Sequence, residues 1–145
     1  MRKNSWRKNC WGAIILISVA IILVDLIANT DWTELSAHHV TVKQLAEKGD
    51  NFSDGLIVMV KGWAEPTSNV LDMYKHKKGE LAYNFYGSKL HDPGSPFVKT
   101  FAEKSIYTRK GCEILARWHR DAGGNWLEVL KFWGDGQTWK ASDNS

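Results

Sequence analysis

The five histidines of this chain are its clearest candidates for metal binding or acid–base catalysis. His38 and His39 are adjacent, so their side chains point in different directions and one metal ion rarely takes both. His76, His91 and His119 are scattered, and none falls in the HExxH, CxxC or CxxCH spacing that marks a zinc or haem site. We therefore predict no metal site and no cofactor.

Nucleophilic catalysis has no local signature either. The sequence contains no G-x-S-x-G motif, and Cys112 lies in an apolar strand pattern, where it is expected to be a small core residue. Carboxylates are plentiful, but an acid–base pair depends on geometry that spacing does not give. We predict a non-catalytic protein, and an enzyme is the third hypothesis because a site assembled from scattered residues leaves no local trace.

Aromatic residues near lysines are the strongest positive signal. Rings beside lysines on a barrel face are able to stack on bases or sugars. Our candidate ligand-binding residues are Tyr74, Lys75, Lys77 and Tyr86. The alternative is that alternate rings fill the core while lysines protect a hairpin tip against edge pairing. Further aromatics of the predicted sheet are Tyr83, Phe85, Trp118, Trp126, Phe132 and Trp133.

The stretch Trp11–Ala28 is apolar apart from Ser18 and Asp25. At about 1.5 Å per residue it forms a helix of about 27 Å, enough to cross a bilayer core. A carboxylate inside a membrane is a functional candidate by default, most often for pairing with another helix. The alternative is that Asp25, one turn from the end, reaches headgroups and water. We predict a transmembrane helix with Asp25 as a candidate intramembrane contact.

Basic residues set the expected orientation of that helix. Four Lys or Arg residues precede it, and such residues stay on the cytoplasmic side, so the larger part of the chain is expected outside. A cleaved signal peptide is the alternative, since a basic region and an apolar region are both present. The apolar run is long for a signal peptide and no A-x-A site follows, which favours an uncleaved anchor.

The balance of charge argues against nucleic-acid binding. The chain has 19 Lys and Arg and 16 Asp and Glu. Four of the basic residues precede the apolar stretch and Asp25 lies within it, so the remainder carries 15 of each sign. That remainder lacks the basic surplus that phosphate binding requires.

Local patterns predict two short helices and several strands. Thr41 and Gln44 have the spacing of a capping box, which predicts a helix that stops at Gly49. Ser95 as N-cap and Pro96 at the first helical position predict a second helix over 97–104. Strands are predicted over 56–63, 70–76, 80–87, 106–109, 112–119 and 126–133, followed by a polar, frayed tail. Residues 76–79 are predicted to be a hairpin tip, and residues 120–125 the loop of a second hairpin.

This order of elements predicts an α+β, mainly β fold: one N-terminal transmembrane helix followed by a small OB-like β-barrel with one or two short helices. An SH3-like barrel or a small α+β sandwich is the alternative. Five segments follow, namely a cytoplasmic basic tail (1–10), the transmembrane helix (11–28), a juxtamembrane linker with a short helix (29–54), the β-rich domain (55–134) and a polar tail (135–145).

An N-terminal anchor followed by an outward-facing barrel, with Lys61-Gly62 near the first strand, resembles the periplasmic haem chaperones of cytochrome c maturation. The resemblance covers the anchor and the order of barrel elements. In that family a histidine beyond the barrel, followed three residues later by tyrosine, carries the haem. Here no histidine follows His119, and His119–Gly123 contains no tyrosine. The resemblance therefore implies an architecture and not haem binding.

Two binding functions rank above catalysis. The first is a single-pass membrane protein whose extracytoplasmic β-rich domain acts as a protein-interaction or assembly module. The second is a tethered OB-like barrel that binds a small ligand or an oligosaccharide. We accordingly expect a membrane and a protein as partners, and no nucleic acid.

Overall fold

A computed structural model describes residues 3–29, 31–67 and 80–142 of the chain. The chain divides into two compact units, Met1–Trp32 and Thr33–Ser145. The strand predicted over 70–76 and the hairpin tip predicted after it fall outside the described residues.

The first unit is built on one helix, α1 (Lys3–Asn29). Its segment Trp11–Ala28 is entirely exposed, and it is long and apolar enough to span a membrane by length and composition. A helix satisfies all of its interior backbone hydrogen bonds within itself, which is what hydrocarbon requires of a spanning segment. The predicted span is therefore present as a helix, which begins within the basic tail and not at Trp11.

The remaining elements are short helices and strands. In chain order they are α2 (Trp32–Leu35), β1 (His38–His39), α3 (Val42–Lys48), a 3-10 turn (Gly49–Asn51), β2 (Ile57–Pro66), β3 (Leu81–Tyr86), β4 (Phe97–Ala102), β5 (Cys112–Asp121), β6 (Gly124–Gly134) and β7 (Gln137–Lys140).

Five of these strands close into a barrel. The order around it is β2-β3-β4-β6-β5, and β5 pairs with β2 to complete the circle. Every pairing is antiparallel except that of β4 with β6, which is parallel. Outside the circle, β1 pairs with β2 and β7 pairs with β6. The structure therefore confirms the prediction of a mainly β fold that contains a barrel.

Helix α3 packs against β2 and β4 and adds Val42 and Leu45 to the barrel core. Its capping box is as predicted: the Gln44 N–H donates to Thr41 Oγ1 at 3.1 Å, and the Thr41 N–H donates to Gln44 Oε1 at 2.8 Å. Two satisfied backbone groups matter in so short a helix, because its few internal hydrogen bonds barely offset the cost of nucleation.

The helix predicted over 97–104 is wrong, because Phe97–Ala102 forms β4. Apolar residues four apart fit a helix, but every second residue of the same run also suits the inner side of a strand. Val98, Thr100 and Ala102 are the residues buried there. β4 pairs with β3 on one edge and β6 on the other. These long-range pairings outweigh the local N-cap signal, as tertiary context commonly does.

Two further predictions are wrong. Residues 106–109 are not a strand, and part of the polar tail is ordered as β7. Asp135-Gly136, with φ of 50° and 71°, makes the tight turn that returns the chain to β6. Trp139 holds β7 in place, since its ring lies 5.9 Å from that of Phe132 and its Nε1 donates to the Ser105 carbonyl at 3.2 Å.

Gly49 is the point where α3 meets the barrel core. A Cβ at this position would lie 2.5 Å from Cζ2 of Trp118, whose Nε1 donates to the Gly49 carbonyl at 3.2 Å. The backbone of Gly49 is helical, with φ of −57°. Alanine would therefore cost stability through steric overlap and not through backbone strain.

We predict that Gly49→Ala lowers the free energy of unfolding by about 1–3 kcal/mol, because the buried indole of Trp118 must shift. Denaturant unfolding of the full chain in detergent measures the change. Gly87→Ala is the matched control, since a Cβ there meets only Val42, at 3.6 Å. Equal losses in the two variants would contradict this account of the packing.

Candidate functional site

The outer surface of the barrel carries a continuous band of polar and aromatic residues. Strand register places Glu65 of β2 opposite Asn84 of β3, then Lys99 of β4, Trp126 of β6 and His119 of β5. Side chains alternate along a strand, and each of these residues has at least one strand neighbour in the core, namely Ala64, Tyr83, Phe85, Val98, Trp118 or Leu127. These five residues, which we call the outer band, therefore face outward and cross all five strands of the barrel.

One cluster of rings flanks the outer band on β3 and β4. Tyr86 stacks on His91, with ring centroids 3.8 Å apart and planes 10° from parallel, and Phe97 tilts against Tyr86 at 5.5 Å. Nε2 of His91 lies 3.5 Å from Oε1 of Glu65. Phe97 is 42% exposed and the adjacent loop residue Leu90 is 88% exposed. We call Tyr86, His91 and Phe97 the Tyr86 cluster, and it presents apolar surface to solvent.

A second cluster lies on β5 and β6. The rings of His119 and Trp126 stack with centroids 4.0 Å apart and planes 11° from parallel. Phe101 meets the same indole edge-on at 5.4 Å, and Trp126 Nε1 donates to Oδ2 of Asp121 at 2.9 Å. Offset and edge-on ring pairs of this kind add stabilisation beyond the area they bury. The indole of Trp126 is therefore held in one orientation by contacts on several sides.

Glu128 ties this second cluster together. Its Oε2 lies 2.7 Å from Nε2 of His119 and 3.3 Å from Nη1 of Arg117. All three side chains are partly exposed, so water screens their charges. We call Phe101, Arg117, His119, Trp126 and Glu128 the Trp126 cluster. One carboxylate oxygen of Glu128 contacts both the imidazole and the guanidinium, which orders this part of the surface before any partner arrives.

The barrel interior is filled with side chains. Phe85, Ile114 and Leu127 are completely buried inside it. Cys112 also points inward, and burial raises the pKa of its thiol to about 12. A thiol with so high a pKa is protonated at neutral pH and inert as a nucleophile. The outer surface instead offers ring faces, apolar area and guanidinium donors, which serve non-covalent binding.

Of the site residues predicted from the sequence, Tyr86 and Asp25 are among the described residues. Tyr86 lies on the outer surface of β3 at the centre of its own cluster. Tyr74, Lys75 and Lys77 lie outside the described residues. Asp25 lies exposed in α1, in the first unit of the chain.

Sequence reasoning missed the importance of two histidines. His91 and His119 each stack on an aromatic ring and contact a carboxylate. A signal for His119 was present in the sequence: the predicted hairpin ends one strand at His119 and begins the next at Trp126, and the structure pairs these two residues above a two-residue turn at 122–123. Within residues 3–29, 31–67 and 80–142, no group of three or more His, Cys, Asp or Glu is placed to hold a metal ion.

No protein-family model, curated protein or solved structure matches this chain.

We predict a coupling free energy of about 0.5–1.5 kcal/mol between His119 and Glu128, because their 2.7 Å contact is three-quarters shielded from water. A double-mutant cycle with His119→Phe, which keeps a stacking ring, and Glu128→Ala measures it by denaturant unfolding. His91 and Glu65 are the matched pair. Their 3.5 Å separation and the half-exposed Glu65 predict a coupling below about 0.5 kcal/mol. Equal coupling free energies for the two pairs would contradict the prediction that the His119–Glu128 contact is the stronger one.

We predict that iodoacetamide at pH 8 modifies Cys112 of a Cys10→Ser variant only after unfolding, as measured by mass spectrometry. The pKa of this thiol is 9.0 in the unfolded chain and about 12 in the folded chain. Between these two pH values the thiol therefore ionises in the unfolded chain but not in the folded one. Cys112 therefore lowers stability across that alkaline range and has no such effect below it. Rapid labelling of the folded chain would contradict its burial.

Proposed function

We propose that this chain is a single-pass membrane protein whose barrel, outside the cytoplasm, is a non-catalytic module that binds another protein. The outer band with its two flanking clusters is the observation that carries the proposal. Tyrosine, tryptophan and arginine are the residues enriched at the energetic centres of protein interfaces. Here Tyr86, Trp126 and Arg117 lie on the outside of the barrel, and Tyr86 packs against the exposed Phe97.

The shape of this surface favours a protein over a small ligand. Small-molecule sites are concave and enclose their ligand, whereas the outer band runs over the outside of a barrel whose interior is filled. Tyr86 of β3 pairs with Phe97 of β4, and Lys99 of β4 pairs with Trp126 of β6, so the two clusters meet on neighbouring strands. A convex surface shared by neighbouring strands suits the extended contacts of protein complexes.

The membrane topology in this proposal rests on α1 and on charge. The segment Trp11–Ala28 is long and apolar enough to span a bilayer, and the Lys and Arg residues that precede it favour the cytoplasmic side. A barrel tethered in this way meets membrane-bound partners at a high effective concentration. An accessory or assembly subunit would use such a tether.

A tethered OB-like barrel that binds an oligosaccharide is the second candidate. Five strands in the order β2-β3-β4-β6-β5, closed by β5 on β2, suit a Greek-key barrel of the OB type. Such barrels use the face of their second and third strands, which here are β3 and β4 with Tyr86 and Phe97. One difference is that residues 103–111, between the third and fourth barrel strands, contain no helix.

We predict that Tyr86→Ala with Phe97→Ala weakens retention of a protein partner about tenfold or more, because both rings lie at the centre of the exposed apolar surface. The measurement is a mild-detergent pull-down of the full chain with quantitative mass spectrometry. Tyr107→Ala is the matched control, since Tyr107 is an aromatic residue that is 58% exposed outside both clusters.

Each outcome of this pull-down discriminates between the candidates. A stoichiometric protein retained by the wild type and by Tyr107→Ala, but lost from the double variant, supports the interaction module. A small molecule that co-purifies with the wild type and is lost from the double variant would instead support the second candidate, the ligand-binding barrel. A protein retained equally by all three forms would contradict the placement of the binding surface.

A further inference from the structure

The two polar residues of the apolar segment lie on one face of α1. Ser18 and Asp25 are seven residues apart, so in a helix with 3.6 residues per turn their side chains point within about 20° of each other. Oγ of Ser18 donates to the Ile14 carbonyl at 2.9 Å. Its hydroxyl is thus satisfied within the helix, and the small side chain leaves a shallow surface two turns below Asp25.

Asp25 has no basic residue within reach along its own helix. The nearest Lys or Arg residues in the sequence are Lys8 and Lys43. Lys8 precedes Asp25 by about 25 Å of helix, and Lys43 lies in α3, beyond α2 and β1. A carboxylate within a membrane is stabilised by pairing with a cation or by access to water. The segment around Asp25 supplies apolar side chains and no cation.

We propose that α1 pairs within the membrane with a helix of another protein that presents Lys or Arg at the depth of Asp25. The proposal rests on the proposed membrane anchoring and specifies the chemistry of the partner helix. Charge complementarity carries it, because the paired charges neutralise each other where water is scarce. Ser18 contributes by its size, since small residues let two membrane helices approach closely.

A second copy of this chain would fit the face of α1 that carries Ser18 and Asp25 less well than a cationic helix would. It would bring a second Asp25 to the same depth and no basic residue, so two carboxylates would oppose each other. Access of Asp25 to the headgroup region is the other arrangement. In that arrangement helix pairing would not depend on a cation in the partner helix, so an experiment with and without such a cation distinguishes the two arrangements.

The test reconstitutes the full chain in phosphatidylcholine vesicles with a synthetic leucine–alanine transmembrane helix that carries one lysine at the depth of Asp25. Energy transfer between labels on the two N termini reports association. We expect the lysine peptide to associate about tenfold more strongly than its leucine counterpart. Asp25→Leu should abolish this preference, and Asp25→Asn should remove most of it.

A relocated carboxylate provides the matched control. Asp25→Leu combined with Leu23→Asp keeps the charge at nearly the same depth but turns it about 140° away from Ser18. We expect association with the lysine peptide to fall several-fold in this variant, because the charge and the small residue no longer share a face.

Three results would overturn the inference: equal association with both peptides, no effect of Asp25→Leu, or self-association of the chain that exceeds its pairing with the lysine peptide. Carbonate extraction of the same membranes separates this failure from failure of the proposed function. A chain that carbonate releases would refute the anchor and the inference together. A chain that stays in the membrane without preferring the lysine peptide would refute the inference alone.

Discussion

Strand β2 closes the barrel because it pairs with two different neighbours along its length. Residues from Ile57 to Gly62 pair with β5, and residues from Trp63 to Pro66 pair with β3. The change of partner falls at Gly62, where a Cβ would collide with the carbonyl oxygen of Tyr86 and the ring of Phe85. Glycine at a barrel corner allows this close approach of two backbones. Without it, β2 could not bridge β3 and β5.

Closure of the barrel determines which side chains are buried and which face outward. A small closed barrel is filled by its own side chains, and this interior is occupied by aromatic and aliphatic residues from every strand. The same register that fills the interior also lines up Asn84, Lys99 and Trp126 on the outside. The outer band is therefore a consequence of closure, and each of its strands is held on both edges. Rings on so firmly held a framework lose little entropy on binding.

Local signals in the sequence predicted local structure well. The capping box at Thr41 and the hairpin of β5 and β6 both depend on residues close in the chain. β4 was mistaken for a helix because its strand state depends on pairing with β6, more than twenty residues away in sequence. Tyr86 could be chosen from its alternating strand pattern, but its stacking on His91 depends on how a loop folds back. The Trp126 cluster also depends on the long-range parallel pairing of β4 with β6, which brings Phe101 beside Glu128.

The central claim is that the outer surface of β3 and β4 is where this protein meets its partner. Site-specific photo-crosslinking in intact membranes tests it most directly, with a photoreactive phenylalanine analogue placed at Phe97 or at Tyr107. Both positions are aromatic and exposed, but only Phe97 belongs to the Tyr86 cluster. We expect one discrete protein adduct from position 97 and none from position 107. An adduct from position 107 with none from position 97 would contradict the account.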